Sequence, residues 1–592
     1  MSLEWSLKEI YPSFNSKEFI TDLKKVDEGI EDLKNFAKST DEKSNDVVKL
    51  EELINKLESI NLLINRIGAY ANLTLSTDSK NAEGRKYLDV INSKYSLLAE
   101  PLTKIYKWIA NIKDIDTLVN SSNLLSKHKF FINEIKEKNK YMLSEKEEAI
   151  IAKMRNTGSD AWSNYKDYLI STHKVDINID NEDKSLPLTV VLNMAYSPDS
   201  ELRKKAYEAE IKSYEKIEEG VAAALNGIKG EVLTTSELKG YKSPLHMTLE
   251  ESRMDEDILN AMLTAIKESL PAFRKYLRRK AELLGHKNGL PFYDLYAPVI
   301  NKEMKFSYEE GKAFVEKNFR SFSNNLADFV INAFNNNWID VMPKEGKVGG
   351  AFCESIKAIN ESRILLNYGN SFSDVVTMAH ELGHGFHSHC LSSETALNSE
   401  YPMTLAETAS NFCEILVKRG AVKSATKEEA FAILEAEISD CNQVIVDIYS
   451  RFLFESEVFE KRKESSLSVE EINNAMLNAQ KEAYGDGLDN NFLHKYMWTW
   501  KPHYYYATAN FYNFPYAFGN LFAKGLYAEY LKRGESFYKE YEELLAVTGK
   551  EKVADVTKIM NIDVHDVNFW RNSLKLIEED IERFISLSYE IK

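Results

Sequence analysis

The segment that most constrains this chain runs over 372–391 and reads FSDVVTMAHELGHGFHSHCL. It predicts a helix over 374–391, with Ser373 as N-cap and Asp374 in the first turn. His380 and His384 are four residues apart and share one face of such a helix, so both rings can approach a single point. Because two neutral imidazoles suit zinc, this H-E-x-x-H pattern predicts a metal site, with Glu381 available as a general base.

A chance match to this short pattern is the alternative, since a long chain can carry it without binding metal. The rest of the segment favours the metal site. Its apolar residues, which include Val375, Met378, Leu382 and Phe386, imply that the helix is buried. Buried imidazoles require polar partners, and a metal ion is one such partner.

A third ligand is expected, and His387 is a poor candidate. It follows His380 by seven residues, which is about 10 Å along a helix. We therefore expect His387 to support a ligand or to face substrate. One class of zinc proteases has glycine at the position of His387 and a third histidine at the position of Cys390. The sequence lacks both, which excludes that class.

A carboxylate on a following helix is the remaining source of the third ligand. The segment that begins at Thr404 predicts this helix, with Glu407, Asn411 and Glu414 on one face. Glu407 is the preferred ligand, because a zinc site built on H-E-x-x-H needs a third protein ligand. The alternative is a capping box, in which Glu407 would bond the backbone amide of an N-cap Thr404. Glu414 is the second choice as ligand, or a partner of a ligand histidine.

Composition indicates a mostly helical protein that does not bind nucleic acid. The 592 residues are 44% apolar, and only 24 Gly and 12 Pro occur. A net charge of −17, from 75 basic and 92 acidic residues, leaves no excess of basic surface for phosphates. Four cysteines without a C-x-x-C pair are typical of a reducing compartment. We see no signal peptide and no membrane span, so a cytoplasmic location is expected.

Helical periodicity extends along most of the chain, with two exceptions. The range 173–197 alternates and contains Asn and Asp turns, which predicts a small sheet or hairpin. Two β-like runs, 347–356 and 363–368, lie just before the predicted metal helix. Gly349 and Gly350 allow close approach of another backbone. The run that ends at Tyr368 could be an edge strand that holds an extended peptide, and an ordinary structural hairpin is an equal alternative.

A cluster of aromatic and polar residues occupies 496–522. His503 is followed by several tyrosines, among them Tyr512 and Tyr516. Aromatic runs at helical spacing are usually packing residues. However, so many phenols beside one histidine are unusual for a core, where each hydroxyl needs a partner. Imidazole and phenol donors are the groups that stabilise an oxyanion.

These residues together resemble the zinc oligopeptidases of the thimet oligopeptidase family, and most closely the oligoendopeptidase F branch. The resemblance covers nearly the whole chain. The motifs that carry it are Leu3-Glu-Trp-Ser-Leu7 with Tyr11, Gly158-Ser-Asp-Ala-Trp162, Gly349-Gly-Ala-Phe352, Ile364-Leu-Leu-Asn-Tyr368, His380-Glu-Leu-Gly-His-Gly-Phe-His387, Leu405-Ala-Glu-Thr-Ala-Ser410, Pro502-His503 with the tyrosines, and Asn568-Phe-Trp570.

The resemblance implies a mainly α fold, a large helical ellipsoid that encloses a deep substrate channel, with a small β-sheet beside the zinc-site helix. It implies a single Zn²⁺ held by His380, His384 and Glu407. Three ranges are expected: an N-terminal helical region (1–112), an oligopeptidase F-type N-terminal subdomain (113–198) and a zinc peptidase catalytic domain (199–592).

The implied activity is hydrolysis of internal bonds in short unstructured oligopeptides, by a zinc-bound water with Glu381 as general base. His503 and one or both of Tyr512 and Tyr516 would contact the substrate or the oxyanion. Gly349, Gly350, His387 and Tyr368 are further candidates for substrate binding. Short peptides are the expected partners, without nucleic acid or membrane, and the sequence does not indicate an oligomeric state. The alternatives are a zinc carboxypeptidase of related helical fold and a non-catalytic helical peptide-binding protein.

Overall fold

The computed structural model describes residues 3–41, 45–300, 302 and 304–591, which form two compact units. Unit 1 comprises Met1–Met142, Met304–Gly420 and Glu529–Ile562, and unit 2 comprises Leu143–Glu303, Ala421–Ala528 and Asp563–Lys592. Each unit is therefore assembled from separate stretches of sequence. The predicted domain boundaries at 112 and 198 remain a prediction. Residues 1 and 2, with which the first predicted range begins, lie outside the described residues.

Helices make up most of both units, as predicted. The first helices of unit 1 are α1 (Lys17–Ser39), α2 (Asp46–Thr77), α3 (Ala82–Ser96), α4 (Ala99–Asn111), α5 (Ile115–Asn120), α6 (Asn123–Lys127) and α7 (Lys129–Asn139). Unit 2 continues with α8 (Glu145–Thr157), α9 (Ser159–Thr172), α10 (Leu188–Asn193), α11 (Ser200–Ser213), α12 (Glu218–Leu238), α13 (Pro244–Glu251) and α14 (Glu256–Leu283).

The second half of the chain alternates between the units in the same way. Its helices are α15 (Tyr308–Phe322), α16 (Asn324–Asn335), α17 (Phe372–Cys390), α18 (Met403–Ala406), α19 (Thr408–Ser424), α20 (Lys427–Cys441), α21 (Ile448–Arg462), α22 (Val469–Tyr484), α23 (Met497–Trp500), α24 (Phe514–Arg533), α25 (Phe537–Val547), α26 (Val553–Lys558) and α27 (Val567–Glu590). A π-helical turn, Asn442–Asp447, joins α20 to α21. No helix within the described residues is both long and apolar enough to cross a membrane.

The hairpin predicted in 173–197 is confirmed. It consists of the antiparallel strands β1 (Lys174–Ile179) and β2 (Glu182–Pro187) in unit 2. The two turn residues, Asp180 and Asn181, have φ angles of 55° and 63°. Asp and Asn tolerate this left-handed backbone better than most residues, so the local sequence specifies the turn.

The small sheet predicted beside the metal helix is also present, but its strand order differs from the prediction. Strands β3 (Ile339–Asp340), β4 (Phe352–Ile356) and β5 (Glu361–Leu365) pair in the order β3-β5-β4 within unit 1. The strand that includes Ile364 is therefore central, and the prediction of an edge strand there is wrong. The reason is β3, which pairs in parallel with β5 and covers its other side. The edge strand next to α17 is β4.

Candidate metal centre

Helix α17 carries the H-E-x-x-H residues and begins earlier than predicted. Its N-cap is Ser371, not Ser373, because Ser371 and Asp374 form a capping box. The Asp374 amide donates to Ser371 Oγ (3.1 Å), and the Ser371 amide donates to Asp374 Oδ2 (2.8 Å). Ser373 lies inside the first turn with an exposed side chain. These reciprocal bonds fix the start of the helix.

Three potential metal donors meet at one point beside α17. His380 Nε2 and His384 Nε2 are 3.2 Å apart, and Glu407 Oε2 lies 3.3 Å from the first and 3.5 Å from the second. Two ligands that are each about 2.0–2.1 Å from a tetrahedral zinc ion are about 3.3–3.4 Å apart. The spacing and the chemistry of the donors therefore fit zinc. Within the part of the chain that the structure describes, no other such group of three donors occurs.

The carboxylate of Glu407 reaches this point because the helix expected from Thr404 is broken. Helix α18 ends at Ala406, Glu407 has φ −90° and ψ 9°, and α19 starts at Thr408. The N-cap of α18 is Pro402, so Thr404 is not an N-cap and the alternative of a Thr404–Glu407 capping box is wrong. Glu407 Oε2 instead accepts a hydrogen bond from Ser410 Oγ (2.7 Å).

Gly383 sets how closely α19 approaches the metal helix. A Cβ atom at this position would lie 2.6 Å from the Ala409 carbonyl oxygen and 2.6 Å from Ser410 Cα. These are backbone atoms that cannot rotate away. A glycine between the two histidines therefore allows the backbone that follows Glu407 to pack directly on α17.

We expect Gly383→Ala to displace α19, lower the free energy of unfolding by about 1–3 kcal/mol and weaken metal binding, because overpacking forces backbone shifts. Thermal unfolding and metal titration measure the two effects. Gly68→Ala is the matched control, since Gly68 lies inside α2 and a Cβ atom there would meet no atom within 4 Å. Unchanged stability and metal affinity in Gly383→Ala would contradict the close packing described here.

Glu414 lies on the Nδ1 side of the His380 ring, whereas the other two donors, His384 and Glu407, lie on its Nε2 side. Its Oε1 accepts a hydrogen bond from His380 Nδ1 (2.6 Å), and its Oε2 accepts one from Lys418 Nζ (2.7 Å). A proton on Nδ1 leaves the lone pair of His380 on Nε2, the atom that faces Glu407. This arrangement favours Glu414 as the orienting partner of His380 and Glu407 as the third ligand.

Burial and neighbouring charge shift the pKa values of these groups. Burial raises the pKa of Glu381 to about 7, against the influence of His380, which lowers it. Burial also lowers the pKa of His384 to about 4. The pKa of Glu407 is depressed despite its burial, chiefly by a hydrogen bond with His380. The carboxylates of Glu407 and Glu414 in turn raise the pKa of His380 to about 10 despite its burial. A neutral imidazole and an ionised carboxylate are the forms that bind a cation, so His380 has to lose a proton when metal binds.

Two of the candidate substrate residues are buried. His387 is 0% exposed; its ring stacks on Tyr401, and its Nε2 donates to Thr548 Oγ1 (2.8 Å). Tyr368 is 2% exposed, and its hydroxyl donates to the Phe306 carbonyl (3.2 Å). Neither side chain offers a surface to substrate in this structure, and both pack within unit 1. A substrate contact by either residue is still a prediction.

Gly349 and Gly350, in contrast, are exposed in the turn before β4. Gly350 has a φ of 77°, which other residues rarely adopt, and its carbonyl accepts a hydrogen bond from Asn367 Nδ2 (2.8 Å). The turn is thus held in one conformation while its backbone remains accessible. A substrate contact here is still a prediction.

The histidine and tyrosines predicted to act together do form a cluster, in unit 2. The His503 ring centroid lies 5.6 Å from that of Tyr512 and 6.1 Å from that of Tyr516. The two tyrosine rings are 5.8 Å apart. Burial and the nearby cations Arg451, Lys501 and Lys166 lower the pKa of His503, which favours the neutral imidazole.

Sequence reasoning missed the residues that support the donors. Lys418 was detectable, because it follows Glu414 by four residues on one helix and an i, i+4 ion pair is a local signal. Gly383 was also detectable as a glycine inside a buried helix. Ser410 and Tyr401 gave no such signal, since their roles depend on how separate segments pack.

Comparison with known proteins identifies the family of the chain. The sequence profile of Peptidase family M3 matches residues 193–576, and that of Oligopeptidase F matches residues 110–174. Oligopeptidase PepF of Bacillus subtilis is 24% identical over 538 residues, covering 89% of this chain and 79% of the relative. An oligoendopeptidase F homolog of Lactococcus lactis is 25% identical over 553 residues, covering 88% of each.

Solved structures show the same fold. A crystal structure of a Chlamydophila abortus protein gives a TM-score of 0.83 at 24% identity and covers 99% of both chains. Oligoendopeptidase-F from Enterococcus faecium gives a TM-score of 0.71 at 17% identity and covers 97% of this chain and 99% of its own.

A largely helical fold with a His-His-Glu donor group, beside a buried glutamate, defines the class of the metalloendopeptidases, to which this chain belongs. With the family match extending over 193–576, the assignment becomes specific: the chain is a member of Peptidase family M3. It therefore acts on peptides.

Proposed function

We propose that the protein is a zinc-dependent endopeptidase that hydrolyses internal bonds of short, unstructured oligopeptides. The observation that carries the proposal is the triangle of His380, His384 and Glu407 donors with Glu381 on the same helix. The printed names of the relatives, oligopeptidase and oligoendopeptidase, support the substrate class. A cytoplasmic location accords with four free cysteines in the chain.

His380, His384 and Glu407 would hold one Zn²⁺ by two imidazole nitrogens and one carboxylate oxygen. When bound, zinc in such a site lowers the pKa of water and polarises a carbonyl group. Glu414 fixes the tautomer of His380, and Ser410 holds the carboxylate of Glu407. Both hydrogen bonds reduce the rearrangement that metal binding requires.

Glu381 is proposed as the general base. Its carboxylate is next in sequence to the ligand His380, is 6% exposed, and is not one of the three donors. It accepts a proton from the attacking water and then gives that proton to the leaving amine. Burial raises its pKa toward neutrality, and a cation at the donors would lower it again, so that the base is ionised when metal is present.

His503, Tyr512 and Tyr516 are proposed as donors to the oxyanion or the substrate. A neutral His503 has one N–H to donate, and its lowered pKa keeps it in that form near neutral pH. His503 Nδ1 is buried and has no hydrogen-bond partner among the described residues. The phenols of Tyr512 and Tyr516 beside it add further donors. Mutation of each tyrosine tests which of them takes part.

The backbone of the turn at Gly349 and Gly350 is proposed to contact substrate. This turn precedes β4, the edge strand of the sheet beside α17. An edge strand can bind an extended peptide by main-chain hydrogen bonds, which accommodates varied side chains. The Ser355 carbonyl already accepts a hydrogen bond from Asn65, so the available backbone lies toward Phe352 and the glycines.

The test is hydrolysis of a short internally quenched peptide blocked at both ends, with a chelator and with zinc added back. We expect internal cleavage that the chelator abolishes and zinc restores, since the ion is the centre of the site. Metal analysis accompanies the assay. Bound zinc without cleavage of the blocked peptide would favour a carboxypeptidase, and neither zinc nor cleavage would favour a peptide-binding protein.

A further inference from the structure

Unit 2 contains a cavity of about 300 Å³ that none of the residues proposed for catalysis lines. One face of α11, formed by Arg203, Ala206, Tyr207 and Glu210, makes one wall. Aromatic rings make most of the remainder, and they belong to Tyr196, Tyr207, Phe292, Tyr293, Tyr296 and Trp500. This volume is at the lower end of the range for small-molecule sites.

Several of these rings pack against neighbouring rings. Tyr196 stacks on Tyr296 with centroids 5.2 Å apart and an angle of 29° between the planes. Phe292 packs against His494 at 5.1 Å. The wall also includes Gln443, which lies on the π-helical turn Asn442–Asp447. Such turns insert an extra residue and are frequent at functional sites.

Two buried charged side chains in the wall already have hydrogen-bond partners within the fold. Arg203, 3% exposed, donates to Asp294 Oδ1 (2.7 Å) and to the Ser197 carbonyl (2.7 Å). Glu210, 6% exposed, accepts hydrogen bonds at Oε1 from Tyr214 and His494, each 2.8 Å long. The cavity is therefore a built polar and aromatic site, because its charged side chains are held in place by partners behind them.

Lys501 differs from these groups. Its ammonium lies 4.2 Å from the centre of the Trp500 ring, and within the described residues it makes no hydrogen bond or ion pair. Trp500 Nε1 and His494 Nδ1, both buried, also lack a partner there. Buried or half-buried cations are normally paired, so Lys501 stands out as a charged side chain of the wall without a hydrogen bond or ion pair, and the carboxylates of Glu210 and Asp447 act on it only at longer range.

We propose that this cavity binds a small carboxylate with an aromatic or large apolar side chain, of the size of a free amino acid. Lys501 takes the carboxylate, and the rings around Tyr296 enclose the side chain. A phosphate is disfavoured, because the guanidinium of Arg203 is already occupied and a single ammonium matches a single negative charge. The site does not depend on the proposed peptidase activity, although amino acids are a product class of peptide hydrolysis.

Isothermal titration of the full-length, zinc-loaded protein tests the proposal with phenylacetate, L-phenylalanine and phenethylamine as probes. We expect the two carboxylates to bind and phenethylamine not to bind. Lys501→Met should weaken phenylacetate binding by about tenfold or more, as expected for loss of a hydrogen bond to a charged group. Lys501→Arg should restore it. Ala195→Trp, which fills the cavity, should remove it without altering any charge.

Lys495→Met is the matched control, because the Lys495 ammonium also lies over an aromatic ring, that of Tyr496, but lines no part of the cavity. It should bind phenylacetate normally. Circular dichroism shows whether each variant folds. Absence of binding to the wild type would overturn the proposal, and so would wild-type affinity in folded Lys501→Met, which would place the carboxylate at the metal centre. Titration of Glu407→Ala separates the two proposals, since this variant lacks one of the proposed metal donors but keeps every residue that lines the cavity.

Discussion

Glu381→Gln is expected to lose most peptide hydrolysis while it keeps its metal. Glutamine has the shape of glutamate but cannot accept the proton of water, and a general base typically contributes about 10²–10⁴-fold to a rate. We therefore expect kcat/KM to fall at least about a hundredfold. Metal content should not change, because the Glu381 carboxylate is not among the three donors that converge beside α17.

The measurement is cleavage of the blocked quenched peptide together with metal analysis of the same sample. Glu551→Gln is the matched control. Glu551 is a partly buried glutamate of unit 1 that lies before α26, and burial raises its pKa as it does that of Glu381. It should remain active. Cleavage by Glu381→Gln close to the wild-type rate would remove Glu381 from the reaction, whatever metal it holds.

The local part of the metal centre could be predicted from the sequence because it depends on helical spacing alone. His380 and His384 are four residues apart, and any helix over this segment brings them together. The N-cap of α17 could also have been predicted from the sequence. Ser371 has an acidic residue three positions later, Asp374, as a capping box requires, whereas Ser373 is followed at that distance by Val376.

The break at Glu407 was harder to predict, because it depends on contacts between helices. The carboxylate leaves the helical path so that α19 can pack on Gly383, and this contact joins residues that are 26 positions apart, 409 − 383. The need of zinc for a third ligand favoured Glu407 as a ligand over Glu407 in a capping box, but it does not separate Glu407 from Glu414. Local spacing would have allowed either.

The strand order and the burial of His387 and Tyr368 depend on contacts between residues that are still farther apart in the sequence. β3 is two residues long and gives no periodic signal, yet it makes β5 central. His387 is buried because it meets Thr548, which is 161 positions away. A histidine near a predicted metal site is a candidate functional residue in the sequence, and its burial follows only from the packing of α17 against α25 and the loop after it.

Glu407→Ala is expected to cause the largest loss of metal affinity, because it removes one of three donors. Glu414→Ala should cost less, about 10–100-fold, as is typical for the partner of a ligand histidine. Ser410→Ala, which removes only a hydrogen bond to Glu407, should have the smallest effect. Competition with a chromophoric chelator measures all three affinities under one set of conditions.

The ranking of the metal affinities of these three variants assigns the roles of the three residues. If the affinities fall in the order proposed, Glu407 is the ligand, Glu414 orients His380 through Nδ1, and Ser410 positions the ligand carboxylate. Normal metal binding by Glu407→Ala with loss in Glu414→Ala would instead reverse the two roles. Such a reversal would require His380 to bind metal through Nδ1, the nitrogen that now donates to Glu414 over 2.6 Å. The His380 ring would then have to turn away from His384. In the structure the Nε2 atoms of the two histidines are 3.2 Å apart.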